Sequence, residues 1–520
     1  MVVRKISYYR VIVSLCLFMF LLSPVFGDEI SAVSFDKELP ENNIVTIQPD
    51  SLRILHNPLT GWVLYASMGV DAADFWAQYD HMYIPELGHN VSVTDYAHTL
   101  YIRASWTDFN PQEDVYGWKI DSNLRAYIEG AYQRNMRLAF RVVVDSRDKR
   151  TEFTPQFVKD AGAKGFMNKG KWSPYSDDSV FQKYYTKFVK ALAKDFNDPS
   201  KVEFIDGFGL GKWGEYHTMI YSTGDDTPKK AVFDWVTDIY SQAFDKVPVV
   251  INYHRWIGAG KDWVDDEHFA ADSEEMLEEA IKKGYSLRHD AFGMTTYYGS
   301  WERRFAKKYR NICPIIMEGG WIVKSHSYWQ DPRGYRKDSH EDVRRGEFDD
   351  SKEAHVNMMD FRFGDTKSWF KDAFDLVRRF LREGGYRLYP SEISLPLEVS
   401  KKTTPTIKHC WNNMGWGYCP TNIPQWNQKY KVAFALLDSE TNEVRYTFVD
   451  TNTDLSKWIK GSPAEYVFEP DMSKVETGTY VWAVGLVDRS NKDLIGLDIA
   501  AKGDILDSGW LKLSKVSIKK

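Results

Sequence analysis

Two well-separated stretches each deliver a carboxylate where chemistry could use it. The first, residues 208–217, reads FGLGKWGEYH and follows an apolar run, 202–205, that ends at Asp206. Glycines let backbone approach a ligand closely, Trp213 offers a flat apolar face, and Glu215 stands beside both. The second, residues 313–321, reads CPIIMEGGW and carries Glu318 at the end of an apolar run. Two carboxyls held across a cleft can divide a hydrolysis between them: one protonates the leaving oxygen, the other attacks or activates water. A charge at the end of a buried strand must be compensated, and Arg103 and Arg141, each inside an apolar run, are candidates for that role.

Carboxylates so far apart in the chain meet only if the fold gathers strand ends. Short apolar runs at 61–66, 98–106, 137–145, 202–206, 247–252, 291–298, 312–318 and 386–393 alternate with amphipathic segments. Residues 124–134 read as one helix, and Phe181, Tyr185, Phe188 and Leu192 fall on one face of another. A further helix with Phe370, Phe374, Val377 and Leu381 on one face precedes the last run and stops at Gly384 and Gly385. Eight such units predict an α/β fold, a (β/α)₈ TIM barrel, whose site lies at the C-terminal ends of the strands. The charged stretch 324–365 reads as a long loop over that site. Beyond residue 396, strand-like runs at 431–437, 444–449, 465–468, 479–487 and 509–513 separated by turn residues predict an all-β sandwich. The expected organisation is a signal peptide over 1–27, the barrel with an N-terminal lead-in over 28–395, and the sandwich over 396–520. The lead-in is expected to add a strand to another domain.

Composition bounds the partners. A chain of 520 residues that is 43% hydrophobic and 27% charged builds a large core. A net charge of −6 offers no basic field for nucleic acid or an anionic membrane. Arg4, Lys5 and Arg10 precede an apolar segment, 11–22, and residues 24–27 (PVFG) suit cleavage after Gly27, so the mature protein is expected to be exported to the periplasm or beyond. Cys16 follows Leu15, where a lipoprotein site wants a small residue, which argues against a lipid anchor. No later run has the length to span a bilayer. Cys410 and Cys419 are close enough in sequence to bridge in an oxidising compartment, whereas Cys313 reads as a buried thiol. Paired CxxC spacing is absent, and Glu215, His217 and His254 lack an evident third ligand, so no metal or other cofactor is expected.

Residues 103–121, RASWTDFNPQEDVYGWKID, resemble the second-strand segment of clan A glycoside hydrolases, especially the β-galactosidase-like ones, where an arginine strand runs into a W-x-x-x-x-P-x-x-x-x-Y-x-W loop. The resemblance implies a (β/α)₈ barrel with an acid/base glutamate after strand four and a nucleophile after strand seven, which here are Glu215 and Glu318. It implies cleavage of a glycan by retaining double displacement. Arg103, Trp106, Asp145, Trp213, His217, His254, Tyr297 and Trp321 are then expected to line the substrate site, with Trp256 and Trp301 as further sugar platforms. Two positions depart from the clan. Gly214 stands where it usually carries Asn, and Tyr389 where an eighth-strand tryptophan is expected. The layout also resembles secreted bacterial barrel proteins that open on NP-x-x-GW, here Asn57, Pro58, Gly61 and Trp62. The alternative is a glycan-binding protein on a degenerate barrel, which keeps the aromatic rim and lacks the catalytic geometry. On either reading the partner is an oligosaccharide or polysaccharide.

Overall fold

The computed structural model describes residues 42–146, 151–260 and 267–520. The predicted signal peptide and Cys16 lie outside them. Parallel strands β1 (Gly61–Tyr65), β2 (Ala97–Ser105), β3 (Arg137–Val143), β4 (Val202–Asp206), β5 (Val249–Asn252), β6 (Tyr285–Phe292), β7 (Ile315–Gly319) and β8 (Met358–Asp360) close into a barrel in chain order, with β8 pairing back onto β1. Helices α1 (Ala72–Asp80), α2 (Ser122–Gln133), α3 (Ser179–Phe196), α4 (Lys229–Ala243), α5 (Glu267–Lys282), α6 (Ser300–Tyr309), α7 (His340–Glu353) and α8 (Phe374–Glu383) follow the strands in turn. This is the (β/α)₈ arrangement the alternating pattern predicted. Local chemistry explains α3 well. Asp178 caps it by accepting from the Phe181 N–H at 2.9 Å, and Phe181, Tyr185, Phe188 and Leu192 are all buried, as their spacing requires.

The barrel interior is layered. Val63, Tyr101, Ala139, Phe204, Val250, Ile316 and Met358, one from each of seven strands, form an apolar plug. Above it the pleat brings polar side chains inward. Register places Arg103 beside Arg141 and Arg141 beside Asp206, while Asn252 sits beside Arg288.

Several expected boundaries move. The sixth strand begins at Tyr285, ahead of the run read at 291–298, so Tyr297 lies in the turn beyond it. The eighth barrel strand is the three-residue Met358–Asp360. The run at 386–393, read as that strand, falls mostly in Leu388–Pro396, which instead pairs antiparallel with Asn42–Thr46 on one side and Ile407–Asn413 on the other. The all-β part therefore takes in residues expected to belong to the barrel, and the lead-in adds its strand there, as anticipated. The stretch 324–365 is more than a loop, since it holds α7 and β8.

Two sheets make up that all-β part. A four-stranded sheet runs Asn42–Thr46, Leu388–Pro396, Ile407–Asn413, Ala464–Phe468, and a second is built mainly from Tyr430–Asp438, Val444–Asp450, Gly478–Asp488 and Leu511–Lys519. Ile393, Leu395 and Trp411 of the first share one apolar core with Val432, Phe434, Trp482 and Val484 of the second, which makes a sandwich. Its connection spanning residues 414–429 forms the floor of the barrel. Trp416 Nε1 donates to the Val356 carbonyl at 2.8 Å, Asn422 Nδ2 to that of Ile312 at 2.6 Å and Gln425 Nε2 to that of Gly284 at 3.2 Å. The apolar plug and the sandwich core form one continuous cluster. Cys313, Cys410 and Cys419 are all buried free thiols, so the bridge that sequence spacing allowed is not formed. Cys410 sits in a sheet strand opposite Glu392 and Glu465, and Cys419 packs in the apolar core, so the two side chains have different surroundings. No helix among the described residues is long and apolar enough to cross a membrane.

Candidate active site

At the C-terminal end of the barrel the inward side chains form a charged collar. Tyr65 comes from β1, Arg103 from β2, Arg141 from β3, Asp206 from β4, Asn252 from β5, Arg288 and Asp290 from β6, Glu318 from β7 and Asp360 from β8. Glu215 reaches the collar from the loop after β4.

That loop is held in a conformation few side chains adopt. Trp213, Tyr216 and Thr218 have φ of 59°, 62° and 51°, in the left-handed region, and Gly209, Gly211 and Gly214 share that sign. Cross-links hold it: the Tyr216 N–H donates to the Leu210 carbonyl at 3.0 Å and the Gly258 N–H to the Tyr216 carbonyl at 2.8 Å. Gly214 is explained by backbone. With φ of 76°, a side chain there would be strained and would press within 3.4 Å of Gly209 and Val143.

Glu215 and Glu318 are both buried at the mouth. Glu215 Oε1 lies 3.5 Å from Arg141 Nη1 and 3.7 Å from Arg103 Nη2, and its Oε2 lies 3.4 Å from His217 Nε2. Arg288 Nη2 donates to Glu318 Oε2 at 2.5 Å and to Asp360 Oδ2 at 2.8 Å. Arg103 and Arg141 act electrostatically on both glutamates. Burial, then Asp290 and Asp360, outweigh the pull of Arg288 and Arg141 and push the Glu318 carboxyl up to about 8. Burial works against Asp290 too, yet Arg141 and Arg288 hold its carboxyl well below the usual carboxylate range. Tyr65, which accepts from Arg103 Nη1 at 3.3 Å, is raised above the ordinary tyrosine range by burial.

The other expected site residues divide. Arg103 is at the mouth, about one-fifth exposed (22%), and donates to the Trp213 carbonyl at 2.8 Å. Trp213 is half-buried, with Lys212 Nζ 4.1 Å from its ring centroid. His217 borders Glu215. His254 Nδ1 accepts from the Trp256 N–H at 3.1 Å, which assigns the proton to Nε2, and Nε2 faces the Glu215 carbonyl at 2.7 Å. That histidine therefore anchors the loop's backbone. Tyr297 is buried behind the pair, with ring centroids 5.9 Å from each histidine. Asp145 is buried and accepts from Ser173 Oγ at 3.2 Å, while Arg141 is engaged by Asp206, Asp290 and Glu215. Trp321 stands 59% exposed beyond β7.

Trp106 is a correction. It is fully buried among Phe157, Phe181, Tyr185 and Phe188, where the barrel meets α3, and cannot face a ligand. Trp256 and Trp301 are likewise core. In their place the structure offers Phe363, just after β8, 54% exposed with its ring 6.1 Å from that of Tyr65. The sequence reading missed it because the eighth strand was placed elsewhere. Arg288, Asp290 and Asp360 were also missed. Two charges at alternate positions in a buried strand, as in RHD at 288–290, were the available signal for the first two. Among the described residues no group of His, Cys, Asp and Glu is arranged to hold a metal ion.

Comparison with protein families finds no match, and comparison with curated proteins finds none either. Among solved structures the chain is similar to an endo-beta-1,4-mannanase from Thermotoga petrophila (13% identity, 89% of this chain and 99% of that one, TM-score 0.39). It is similar also to a GH30 endoxylanase from Clostridium papyrosolvens C71 (9% identity, 82% and 97%, TM-score 0.38) and to endo-glycoceramidase II from Rhodococcus sp. (12% identity, 82% and 99%, TM-score 0.37). Identities and scores this low leave the activity to be read from the site itself.

Proposed function

We propose that this chain is an exported glycoside hydrolase of the retaining type. The observation that carries the reading is the pairing at the barrel mouth: Glu215 after β4 and Glu318 on β7, both buried and both in the field of Arg103 and Arg141. Glu215 gives its proton to the leaving oxygen while Glu318 attacks the anomeric carbon. The glycosyl ester so formed is hydrolysed by a water whose proton Glu215 takes back. Arg288 binds Glu318 through Oε2, which leaves Oε1 as the attacking atom. Burial raises Glu318 to about 8, so the ionised fraction, whose proton has gone to solvent, is the form that attacks, and its charge then stabilises the developing oxocarbenium ion. Trp213, Trp321 and Phe363, each partly exposed at the rim, are placed to stack on sugar rings.

The test is release of reducing sugar from a panel of glycans and aryl glycosides, with the anomer of the first product read by NMR. Retention is expected. Glu318→Gln should abolish release from every substrate, and Glu215→Gln should spare chiefly aryl glycosides with good leaving groups, which need little protonation. Release unaffected by either change refutes the assignment. Binding without release by the unaltered protein supports the degenerate-barrel alternative. Export is tested separately, by a mature N-terminus at Asp28.

A further inference from the structure

Below the two glutamates lies a set of buried charges, two of which, Asp290 and Asp206, have no part in the reaction scheme. Arg141 and Arg288 are fully buried, and both guanidiniums lie over the ring of Tyr101, 5.9 and 4.5 Å from its centroid. Asp290 joins them. Its Oδ2 is 2.6 Å from Arg141 Nη1 and its Oδ1 3.1 Å from Arg288 Nε. Asp206 makes a less even join, accepting from Arg141 Nε at 2.6 Å and from Tyr101 at 3.1 Å but standing 3.6 Å from Arg288 Nε. The same two arginines hold the glutamates, Arg141 at 3.5 Å from Glu215 and Arg288 at 2.5 Å from Glu318. A continuous path of ion pairs therefore runs Glu215, Arg141, Asp290, Arg288, Glu318.

We propose that Asp290 is a positioning residue that ties the two glutamates to one shared anchor, so that neither is placed independently of the other. The proposal rests on the reading of Glu215 and Glu318 as the reacting pair. Two guanidiniums stripped of water and stacked on one ring repel each other, and a carboxylate bridging them is what lets both stay in place. Glu318 is faced by Tyr65 on β1, Arg103 on β2, Arg141 on β3, Arg288 and Asp290 on β6, and Asp360 and Arg362 at β8. Glu215 is faced by Arg103, Arg141 and His217. Among the anions around Glu318, Asp290 acts on it most strongly. Neutralising Asp290 removes a negative charge beside Glu318 and leaves both arginines undivided for the glutamates. Both effects make Glu318 lose its proton at lower pH.

The experiment is a carbon-13 NMR titration of protein labelled at its glutamate carboxyls, with the Glu318 resonance assigned by its loss in Glu318→Gln. In Asp290→Asn its midpoint is expected at least about one pH unit lower, the size of a single nearby charge in a buried site. Asp206→Asn, which loses the less even join, should move it less. On whichever aryl glycoside the protein turns over, Asp290→Asn should lower kcat about tenfold or more with KM within about twofold, and shift the pH profile of kcat/KM downward. If Asp290→Asn does not fold, Asp290→Glu keeps the charge and displaces it by one methylene. It should then shift the Glu318 resonance and reduce kcat by a similar factor. An unmoved Glu318 midpoint in Asp290→Asn, or an unmoved resonance in Asp290→Glu where only that variant folds, overturns the proposal. A protein inert on every glycoside would defeat the glycosidase reading and leave the titration readable.

Discussion

Replacing Glu318 by glutamine probes the charged collar without any substrate. The side chain keeps its shape and loses its charge. An ordinary glutamate ionises near 4.5, and the fold raises Glu318 to about 8, with burial as the first cause. A carboxyl that is harder to ionise in the folded than in the unfolded chain costs nothing below the lower value. Stability is then eroded progressively as pH rises from the lower value to the higher one, because the unfolded chain ionises first, and the loss levels off above it. At about 1.4 kcal/mol per pH unit, the gap amounts to about 5 kcal/mol once both states are fully ionised. Glutamine does not ionise and escapes that loss. Arg288 keeps Asp290 and Asp360 as partners but loses its shortest contact, which offsets the variant's stability by an amount that does not change with pH. The stability of Glu318→Gln relative to the unaltered protein is therefore expected to climb by about 2 to 4 kcal/mol between about pH 5 and pH 9. Urea and thermal unfolding of the two proteins side by side, followed by tryptophan fluorescence, measure it on whichever transition reports the barrel. A difference that stays flat or falls with pH refutes the claim that Glu318 is ionised against its surroundings.

Two further substitutions separate framework from site. Trp106→Ala empties a fully buried position among four aromatic rings and should lower stability by about 3 to 5 kcal/mol while leaving KM unchanged in the folded fraction. A KM raised severalfold would return Trp106 to the substrate site. Glu203, at the opposite end of the barrel, accepts from Arg137 Nε and from the Leu59 N–H, each at 2.5 Å. Glu203→Gln keeps the second bond and leaves Arg137 without its charge partner, so unfolding should become easier by about 2 to 4 kcal/mol, with kcat on any substrate unaltered.

Periodicity made the barrel legible because each amphipathic helix carries its own evidence. The face of Phe181, Tyr185, Phe188 and Leu192 points to a buried side wherever the helix is docked. Strand partnership is different. Leu388–Pro396 has the apolar content of a barrel strand, but which neighbour pairs with it depends on closure elsewhere, and Met358–Asp360 is too short to announce itself. Charged residues followed the same division. Glu215 and Glu318 stood out because glycines and a tryptophan flank each of them. Arg288 and Asp290 carry only the faint signal of two charges in one apolar strand, Asp360 carries none, and all three gain their meaning when strands six and eight converge on strand seven. Tryptophans after strand ends misled for a related reason: Trp106 turns outward into the helix layer, and the chain's local pattern does not say which way the residue after a strand points.

The sandwich that floors the barrel changes what counts as a part of this protein. Its connection occupies the end of the barrel away from the glutamates, and its core runs without a break into the plug beneath the charged collar. The two halves are therefore not interchangeable modules. Cutting after α8 would uncover apolar surface on both pieces, and a barrel isolated in that way would be prone to self-association. At the other end, the loops that carry Trp213, Trp321 and Phe363 contribute nothing to that junction. Lineages of this protein would be free to reshape what it grips while inheriting the same closed base.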